Sequence, residues 1–479
     1  RSRWWPVAYA FQRINDPRAV PALLAFLQGE GQLTRAFAAR GLGVAKAPAA
    51  LTPLLAIVGN PAEPQAVRVQ AIRAIAAIGD VAGAGTLVRV ITTDQADPNV
   101  RLEAVTALGL LKAPAALDLL IDLASSSWPS MRAAALTALS RVDVDIFVTA
   151  LSSLSPDEHW SVRAALASAV ADLGRERAEA PLTRMLGDAD QRVVPSVLAG
   201  LAKVGAANAA TIMLTHLEAD DPVVRAAAAR GLGVLKATGV TAALTEAVAR
   251  AARDGLYVAR AAALDALVAI DPQAARPVLT SALIDKDWAV RVRAADRLTA
   301  IDPAADVSAM RPAPLHTVDD LATVDALVAP PYTPSAYLDT EKGTIQFELS
   351  VLDAPRTVAN FIGLVRKGYF RGVQLHRVVP DFVIQDGDPR GDGEGGPGYT
   401  IRDEINQRPY TRGTVGMALD WRDTGGSQFF ITHSPQPHLD GRYTVFGQVV
   451  SGMDVVDALS QWDVIERIRV WDGVGWIGQ

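Results

Sequence analysis

The sequence predicts a multidomain chain: an all-α superhelical solenoid of repeated helix pairs, followed by a closed β-barrel capped by two helices. Three observations lead to this fold class. A pattern with a period of 31 to 35 residues runs through about the first 303 residues. Six prolines then fall within 303–334. From residue 335 onward alanine becomes rare, and apolar residues alternate with polar ones.

The repeat is marked by an arginine near the start of each unit. The stretch "RAFAARGLGVAKA" from Arg35 aligns without a gap with "RAAAARGLGVLKA" from Arg225. Patterns related to Val-Arg-x-x-Ala-x-x-x-Leu surround further arginines at the same period: Arg68, Arg101, Arg132, Arg163, Arg260 and Arg291. Within one unit "DDPVVR" (220–225) supplies an Asp cap and a helix-start proline. Each unit therefore predicts two short helices whose apolar faces are buried by neighbouring units.

These units resemble HEAT repeats, in particular the short bacterial kind, over residues 1–303, or about ten helix pairs with a partial first one near Arg3. The resemblance implies that each arginine bonds an Asp of an adjacent turn. Trp128, Trp160 and Trp288 each precede the first helix of a repeat. They either pack at repeat junctions or form an aromatic row that binds a partner. We expect the solenoid to recruit a protein partner or client.

The remaining chain predicts a linker and a β domain. Residues 304–334 are predicted to be a Pro-rich linker, in which 316–328 could form one short helix. The stretch "SAYLDTEKGTIQFELSV", which begins at residue 335, predicts two strands joined by a tight Lys-Gly turn. Two helical patterns follow, at 357–368 and 452–460. We expect residues 335–479 to form the barrel and its two capping helices.

Composition excludes several classes of protein. The net charge of −6 argues against a nucleic-acid partner, which would require a basic excess. No apolar run is long enough to span a bilayer. The absence of cysteine excludes disulfides and thiolate metal sites. We expect a monomer with no metal and no cofactor.

One run in the β domain contains polar residues that a core strand pair does not need. The run "LHRVVPDFVIQDGD" places Arg377 and Gln385 in two short apolar strands. Its Pro-Asp pair predicts a turn that folds the second strand back beside Arg377. Val383 and Gln385 are two residues apart and so lie on one face of their strand. The run predicts a pocket with a permanently charged donor, Arg377, at its edge.

Together with "GGSQFFIT" (425–432) and "HLDGRYTVFGQV" (438–449), this run resembles the cyclophilins, a family of peptidyl-prolyl cis-trans isomerases, over residues 335–479. The Gly-rich "GDGEGGPGYTIRDE" (391–404) is similar to a loop of bacterial members. Amide resonance gives peptide rotation a barrier of about 18–20 kcal/mol. A catalyst therefore needs an apolar slot for the proline ring, a donor near the prolyl nitrogen and contacts to the substrate backbone.

The resemblance implies that Arg377 is the catalytic residue. It also implies a set of substrate-binding residues: Phe382, Val383, Gln385, Ala418, Leu419, Gln428, Phe430, His438, Leu439 and Tyr443. In this interpretation the apolar members form the wall of the slot. The two glutamines bond the substrate backbone or orient Arg377.

Several positions depart from the well-known human cyclophilins. In "MALDW", Leu419 replaces an Asn whose backbone holds the substrate. His438 replaces a Trp, which argues against tight cyclosporin binding, and Tyr443 replaces a His, as in many bacterial members. Asp420 and Trp421 are predicted to reshape the rim or to contact the residues before proline.

Other patterns do not indicate sites. "GDGEGG" (391–396) matches G-x-G-x-x-G but lacks a strand-to-helix context, and its acids would repel phosphate. In "DGDPRGDGE" (386–394) Arg390 occupies a position that a calcium loop fills with an oxygen ligand. The six histidines do not cluster at metal-ligand spacing.

The sequence thus predicts a prolyl isomerase that assists folding by acting on Pro-containing segments of unfolded or client proteins. The alternative is a non-enzymatic scaffold that only binds such segments. Arg377 favours the enzyme, whereas Leu419 and Trp421 are also compatible with the scaffold. Outside the cytosol no ATP-driven chaperones assist clients whose folding waits on slow prolyl isomerisation. We therefore expect this protein to be located in the periplasm or cell envelope. A signal peptide or lipid anchor before Arg1 would establish that location.

Overall fold

The computed structural model describes residues 4–93, 97–153, 155–312 and 333–478. The chain divides into two compact units, Arg1–Leu182 and Thr183–Gln479. The predicted helix at 316–328 and most of the predicted linker lie outside the described residues, so the domain boundaries stay predictions. No helix in the described ranges is long and apolar enough to cross a membrane.

The first unit is built from helix pairs. Its helices are α1 (Trp5–Ile14), α2 (Val20–Gln28), α3 (Gln32–Val44), α4 (Leu51–Gly59), α5 (Gln65–Ile78), α6 (Ala84–Thr93), α7 (Pro98–Leu110), α8 (Leu117–Leu123), α9 (Pro129–Val142), α10 (Val144–Ser153), α11 (Trp160–Ala171) and most of α12 (Arg175–Met185). The first helices of successive repeats pack side by side, with α3 on α5 and α7 on α9. A Cβ on Gly43 would lie 2.8 Å from the Cα of Ala74, so this contact requires a glycine.

The second unit continues the pairs with α13 (Val194–Val204), α14 (Ala209–His216), α15 (Pro222–Leu235), α16 (Thr241–Arg250), α17 (Val258–Ile270), α18 (Pro272–Ala282) and α19 (Trp288–Ile301). The predicted cap is present: the Asp221 carboxylate accepts from the backbone N–H of Val223 at 2.7 Å. Helices α13, α15, α17 and α19 pack in succession. The apolar faces of the repeats are thus buried by their neighbours, as predicted.

The repeat arginines reach acids of the next repeat. Arg225 bonds Asp254 at 2.5 Å, and the fully buried Arg260 bonds Asp287 at 2.7 Å. In the first unit Arg132 pairs with Asp157 at 2.6 Å. These contacts confirm the ladder for these arginines. Their role is structural, since a buried guanidinium must keep its partners.

The β domain contains β1 (Ser335–Thr340), β2 (Gly343–Leu349), α20 (Pro355–Arg366), β3 (Val373–Gln374), β4 (Arg377–Val379), β5 (Val383–Asp386), β6 (Thr414–Met417), β7 (Phe429–Thr432), β8 (Val445–Ser451), α21 (Met453–Ala458), β9 (Val464–Trp471) and β10 (Trp476–Ile477). The two helices lie where the sequence predicts them. The first predicted strand pair is also present, although Gly343 begins β2 and the turn itself is Glu341–Lys342.

The strands form one curled antiparallel sheet in the order β10-β9-β1-β2-β8-β6-β7-β5-β4. Strand β3 pairs with β9, which lies next to the end strand β10, and β4 is the strand at the other end. The short chain from β3 to β4 therefore runs from one side of the sheet to the other. Phe361 of α20 packs inside the barrel against Phe347, Phe370 and Phe446, at centroid distances of 5.8, 5.4 and 5.6 Å. This aromatic core fixes the strands that carry the site.

Candidate functional site

Arg377 and Gln385 lie directly opposite each other on β4 and β5. Gln385 in turn lies opposite Phe430 on β7. Directly paired residues share a face of a sheet, so these three side chains form a row across the strands. The predicted turn between β4 and β5 is present, closed by a bond from the Phe382 N–H to the Val379 carbonyl at 3.0 Å.

A chain of side-chain amides holds the arginine. Arg377 Nη1 donates to Gln385 Oε1 at 2.9 Å, and Gln385 Nε2 donates to Gln428 Oε1 at 3.0 Å. Gln428 Nε2 is itself anchored by the carbonyls of Gly393 and Gly395, at 2.8 and 2.9 Å. The guanidinium is therefore oriented through two amides from the Gly-rich loop.

The charge of Arg377 is not neutralised by an acid: within the described residues no carboxylate lies within ion-pair distance of it. Burial lowers the pKa of the guanidinium, and the nearby Tyr443 hydroxyl acts in the opposite direction. The group stays protonated at neutral pH because an arginine titrates far above it. Its carbon Cζ lies 5.7 Å from the centroid of the Phe382 ring, which places the charge at the edge of an apolar surface.

That apolar surface is a small cluster separate from the barrel core. We call it the apolar slot; its members include Phe382, Val383, Phe430, Leu439 and Tyr443. Val383, Phe430 and Leu439 are buried. The ring of Tyr443 meets Phe430 edge to face at 5.7 Å, and the ring of Phe382 stacks on His438 at 5.9 Å. The structure thus brings these predicted residues together beside Arg377.

Tyr410 belongs to this cluster but was not predicted. Its ring stacks on Phe430 at 5.5 Å, and its buried hydroxyl donates to the carbonyl of Thr444 at 3.4 Å. Burial raises the pKa of this phenol. Opposite Phe430 lies Gly416, where a Cβ would be 2.3 Å from the Tyr410 hydroxyl and 2.6 Å from Phe430. Tyr410 lies in a loop without periodicity, so no sequence pattern indicated it.

The last two predicted residues border the slot on the side of β6. The Ala418 N–H donates to the Gln428 carbonyl at 3.0 Å, and the Ala418 side chain packs against the slot cluster. Leu419 packs instead against the barrel core. The half-buried side chain that replaces the expected Asn therefore contacts the core.

Asp420 and Trp421 were expected to shape the rim, and in the structure they contact the repeat helices of the same unit. Asp420 Oδ2 accepts from the Tyr257 hydroxyl at 2.6 Å. The Trp421 ring meets the Tyr257 ring edge to face at 5.1 Å and lies 4.8 Å from the guanidinium carbon of Arg293. Both residues therefore join the β domain to the repeats.

Further contacts extend this junction. Trp288, predicted to pack at a repeat junction or to bind a partner, is buried against the β domain, where its Nε1 donates to Asp423 Oδ2 at 2.8 Å. Arg390, directly before the Gly-rich loop, pairs with Asp221 at 2.7 Å. Since Asp221 also caps α15, one carboxylate ties the loop to the start of a repeat helix.

Two histidines near the site have structural contacts. His433 Nδ1 accepts from the backbone N–H of Asp381 at 3.1 Å, and Asp381 itself adopts a left-handed φ of 59° in the β4–β5 turn. His376 is buried 3.9 Å from Asp386, whose pKa is raised by burial. In the part of the chain that the structure describes, no group of histidines and acids could hold a metal ion.

Fold and site together define a barrel protein with an apolar slot beside an oriented, unneutralised arginine. Known families agree with this class. Residues 336–472 match the family described as "Cyclophilin type peptidyl-prolyl cis-trans isomerase/CLD". Residues 60–140 and 148–233 match "HEAT repeats", and 7–29 match "PBS lyase HEAT-like repeat".

Individual relatives are similar to the β domain alone. The "Peptidyl-prolyl cis-trans isomerase" of Synechococcus elongatus is 50% identical over 137 residues, or 28% of this chain and 94% of the relative. The "Peptidyl-prolyl cis-trans isomerase B" of Bacillus subtilis is 50% identical over 28% of this chain and 97% of its own length. A "Peptidyl-prolyl cis-trans isomerase" of Helicobacter pylori is 46% identical over 28% of this chain and 86% of the relative. The chain belongs to the cyclophilin-type peptidyl-prolyl cis-trans isomerases and carries HEAT repeats before that domain.

Proposed function

We propose that this chain is an active prolyl isomerase whose catalytic residue is Arg377. One observation carries the proposal: an arginine without an acidic partner among the described residues is oriented by Gln385 at the edge of the apolar slot. The relatives that match this domain are named as isomerases.

The reaction requires no nucleophile, general base or metal, because no covalent bond forms or breaks. A proline ring held in the slot stays fixed while the residue before it turns about the C–N bond. As the bond twists, amide resonance is lost and the electron pair localises on the prolyl nitrogen. An N–H of Arg377 aimed at that nitrogen stabilises the twisted state more than the planar one, which lowers the barrier.

Residues around the slot would bind the substrate backbone. Gln385 and Gln428 form one hydrogen-bonded chain with Arg377, and the Gly-rich loop fixes the amide of Gln428. Holding the peptide on both sides of proline restricts rotation to the one bond that must turn. The repeats would recruit protein partners or clients and bring Pro-containing segments to this domain. Leu419 does not oppose this function, because its half-buried side chain packs against the barrel core and the backbone at this position can still contact a peptide.

A coupled assay on an X–Pro peptide tests the proposal. Removal of one preorganised donor costs about 10²–10³-fold in rate in comparable sites. We therefore expect Arg377→Ala to lower kcat/KM by at least about 100-fold. The matched control is Arg371→Ala, the same substitution at another exposed arginine. Arg371 lines a different surface depression, together with Ile468, and not the slot. The control should retain wild-type activity.

Folding of each variant is checked by its denaturation curve. Arg377 is exposed, so its removal should leave the curve unchanged. A wild-type protein that binds the peptide but turns it over no faster than Arg377→Ala would refute the enzyme and leave the scaffold alternative.

A further inference from the structure

A second pocket adjoins the apolar slot and is lined by both parts of the second unit. It has a volume of about 90 Å³. Gln385, Ala418 and Gln428 line it from the β domain, and Leu256 and Tyr257 line it from the segment that begins α17. The three β-domain residues are also predicted to bind substrate. A peptide with its proline in the slot must therefore pass this pocket on one side.

Tyr257 is held firmly in the pocket wall. Its hydroxyl donates to Asp420 at 2.6 Å, and its ring meets Trp421 edge to face at 5.1 Å. Burial raises the pKa of this phenol, so it remains a neutral donor at physiological pH. A wall fixed by a charge-assisted hydrogen bond and a ring contact is not displaced without loss of both.

Contacts on either side keep this segment against the β domain. Trp288 bonds Asp423 at 2.8 Å, and Arg422 bonds Asp296 at 2.5 Å. The backbones also approach closely, since a Cβ on Gly255 would lie 3.3 Å from the Cα of Gly398. The repeats thus contribute a fixed wall to the substrate groove.

The size of the pocket limits its occupant. An apolar cavity of about 150 Å³ holds one benzene ring. The pocket, of about 90 Å³, is smaller than that cavity, so a small side chain fits it more readily than an aromatic ring does. Leu256 and Tyr257 bound the pocket on the side of the repeats.

We propose that Leu256 and Tyr257 are specificity-determining residues of the isomerase, which close one end of the groove and favour substrates with a small residue near proline over those with an aromatic one. The inference rests on the proposed isomerase function. It assigns the repeats a direct part in substrate choice, in addition to recruitment.

Peptides that carry Ala or Phe at each position flanking proline test this inference in the full chain. At one position we expect wild type to show at least a tenfold higher kcat/KM for the Ala peptide, the scale of discrimination that steric exclusion gives. In Tyr257→Ala and in Leu256→Ala this ratio should fall towards one. The matched control Tyr337→Ala, on β1, should keep the wild-type ratio.

The possible results are distinct. If the Ala-to-Phe ratio is the same in wild type and in both groove variants, the inference is wrong while the isomerase function stands. If the two groove variants lose the same fraction of kcat/KM on every peptide, Leu256 and Tyr257 have a purely structural role. That result would also overturn the inference. If wild type catalyses no peptide, the proposed function fails, and the specificity claim fails with it.

Discussion

Substitution of Gln385 tests whether Arg377 must be oriented to act. Gln385→Ala removes the amide that accepts from Arg377 at 2.9 Å and breaks the link to Gln428 at 3.0 Å. A hydrogen bond to a charged group contributes about 1.5–3 kcal/mol. Arg377 is exposed, so the lower figure applies. A loss of about 1.5 kcal/mol corresponds to a fall of about tenfold in kcat/KM.

The assay measures X–Pro peptide turnover for wild type, each single variant and the double variant with Arg377→Ala. If Gln385 acts mainly through Arg377, then Gln385→Ala costs about tenfold in the wild-type background and clearly less once Arg377 is absent. Equal costs in the two backgrounds would refute the positioning role. They would show instead that Gln385 binds the substrate independently.

Three further predictions concern stability. Gly416→Ala places a Cβ 2.3 Å from the Tyr410 hydroxyl, so we expect a loss of about 1–3 kcal/mol by chemical denaturation and weaker peptide binding. Arg260→Ala leaves the buried Asp287 without its guanidinium, which should cost about 3–5 kcal/mol by the same measurement. Burial raises the pKa of Asp403 to about 6, above its unfolded value, so its contribution to stability is present below about pH 4 and lost as the pH rises through about 6. Asp403→Asn should therefore flatten that part of the pH–stability curve.

Each of these has a result that would count against it. An unchanged denaturation midpoint in Gly416→Ala would show that the rings of the slot can shift without cost. For Arg260→Ala the comparison is Arg18→Ala, whose pair with Asp16 is exposed and should contribute nothing measurable. Equal effects of the two substitutions would contradict a structural ladder. If the Asp403→Asn variant shows the same pH–stability curve as wild type, the Asp403 carboxyl does not cause that pH dependence.

The sequence was sufficient for features set by local pattern. The two-residue spacing of Val383 and Gln385, with a Pro-Asp turn before them, was enough to predict a strand beside Arg377. The repeat period predicted the helix pairs, because each apolar face must meet a neighbour of the same kind. Such features depend on residues close together in the chain.

Features that depend on distant contacts were not predictable. Tyr410 reaches the slot from an irregular loop, and Asp420 meets Tyr257 across 163 positions of sequence. On the sequence alone, Asp420 is a polar residue and Trp421 an aromatic residue on a loop. Such a pair is equally consistent with the rim of a substrate site and with a docking surface. Only the packing of the second unit distinguishes these possibilities.

The most direct test of the central claim is magnetisation-exchange NMR on an X–Pro peptide with a small amount of the full chain. This measurement observes cis and trans peptide interconverting, without a coupled protease, where the uncatalysed exchange takes tens of seconds. We predict exchange peaks with wild type and none with Arg377→Ala, while peptide resonances still broaden on binding to both. Broadening without exchange in the wild-type protein would contradict the account.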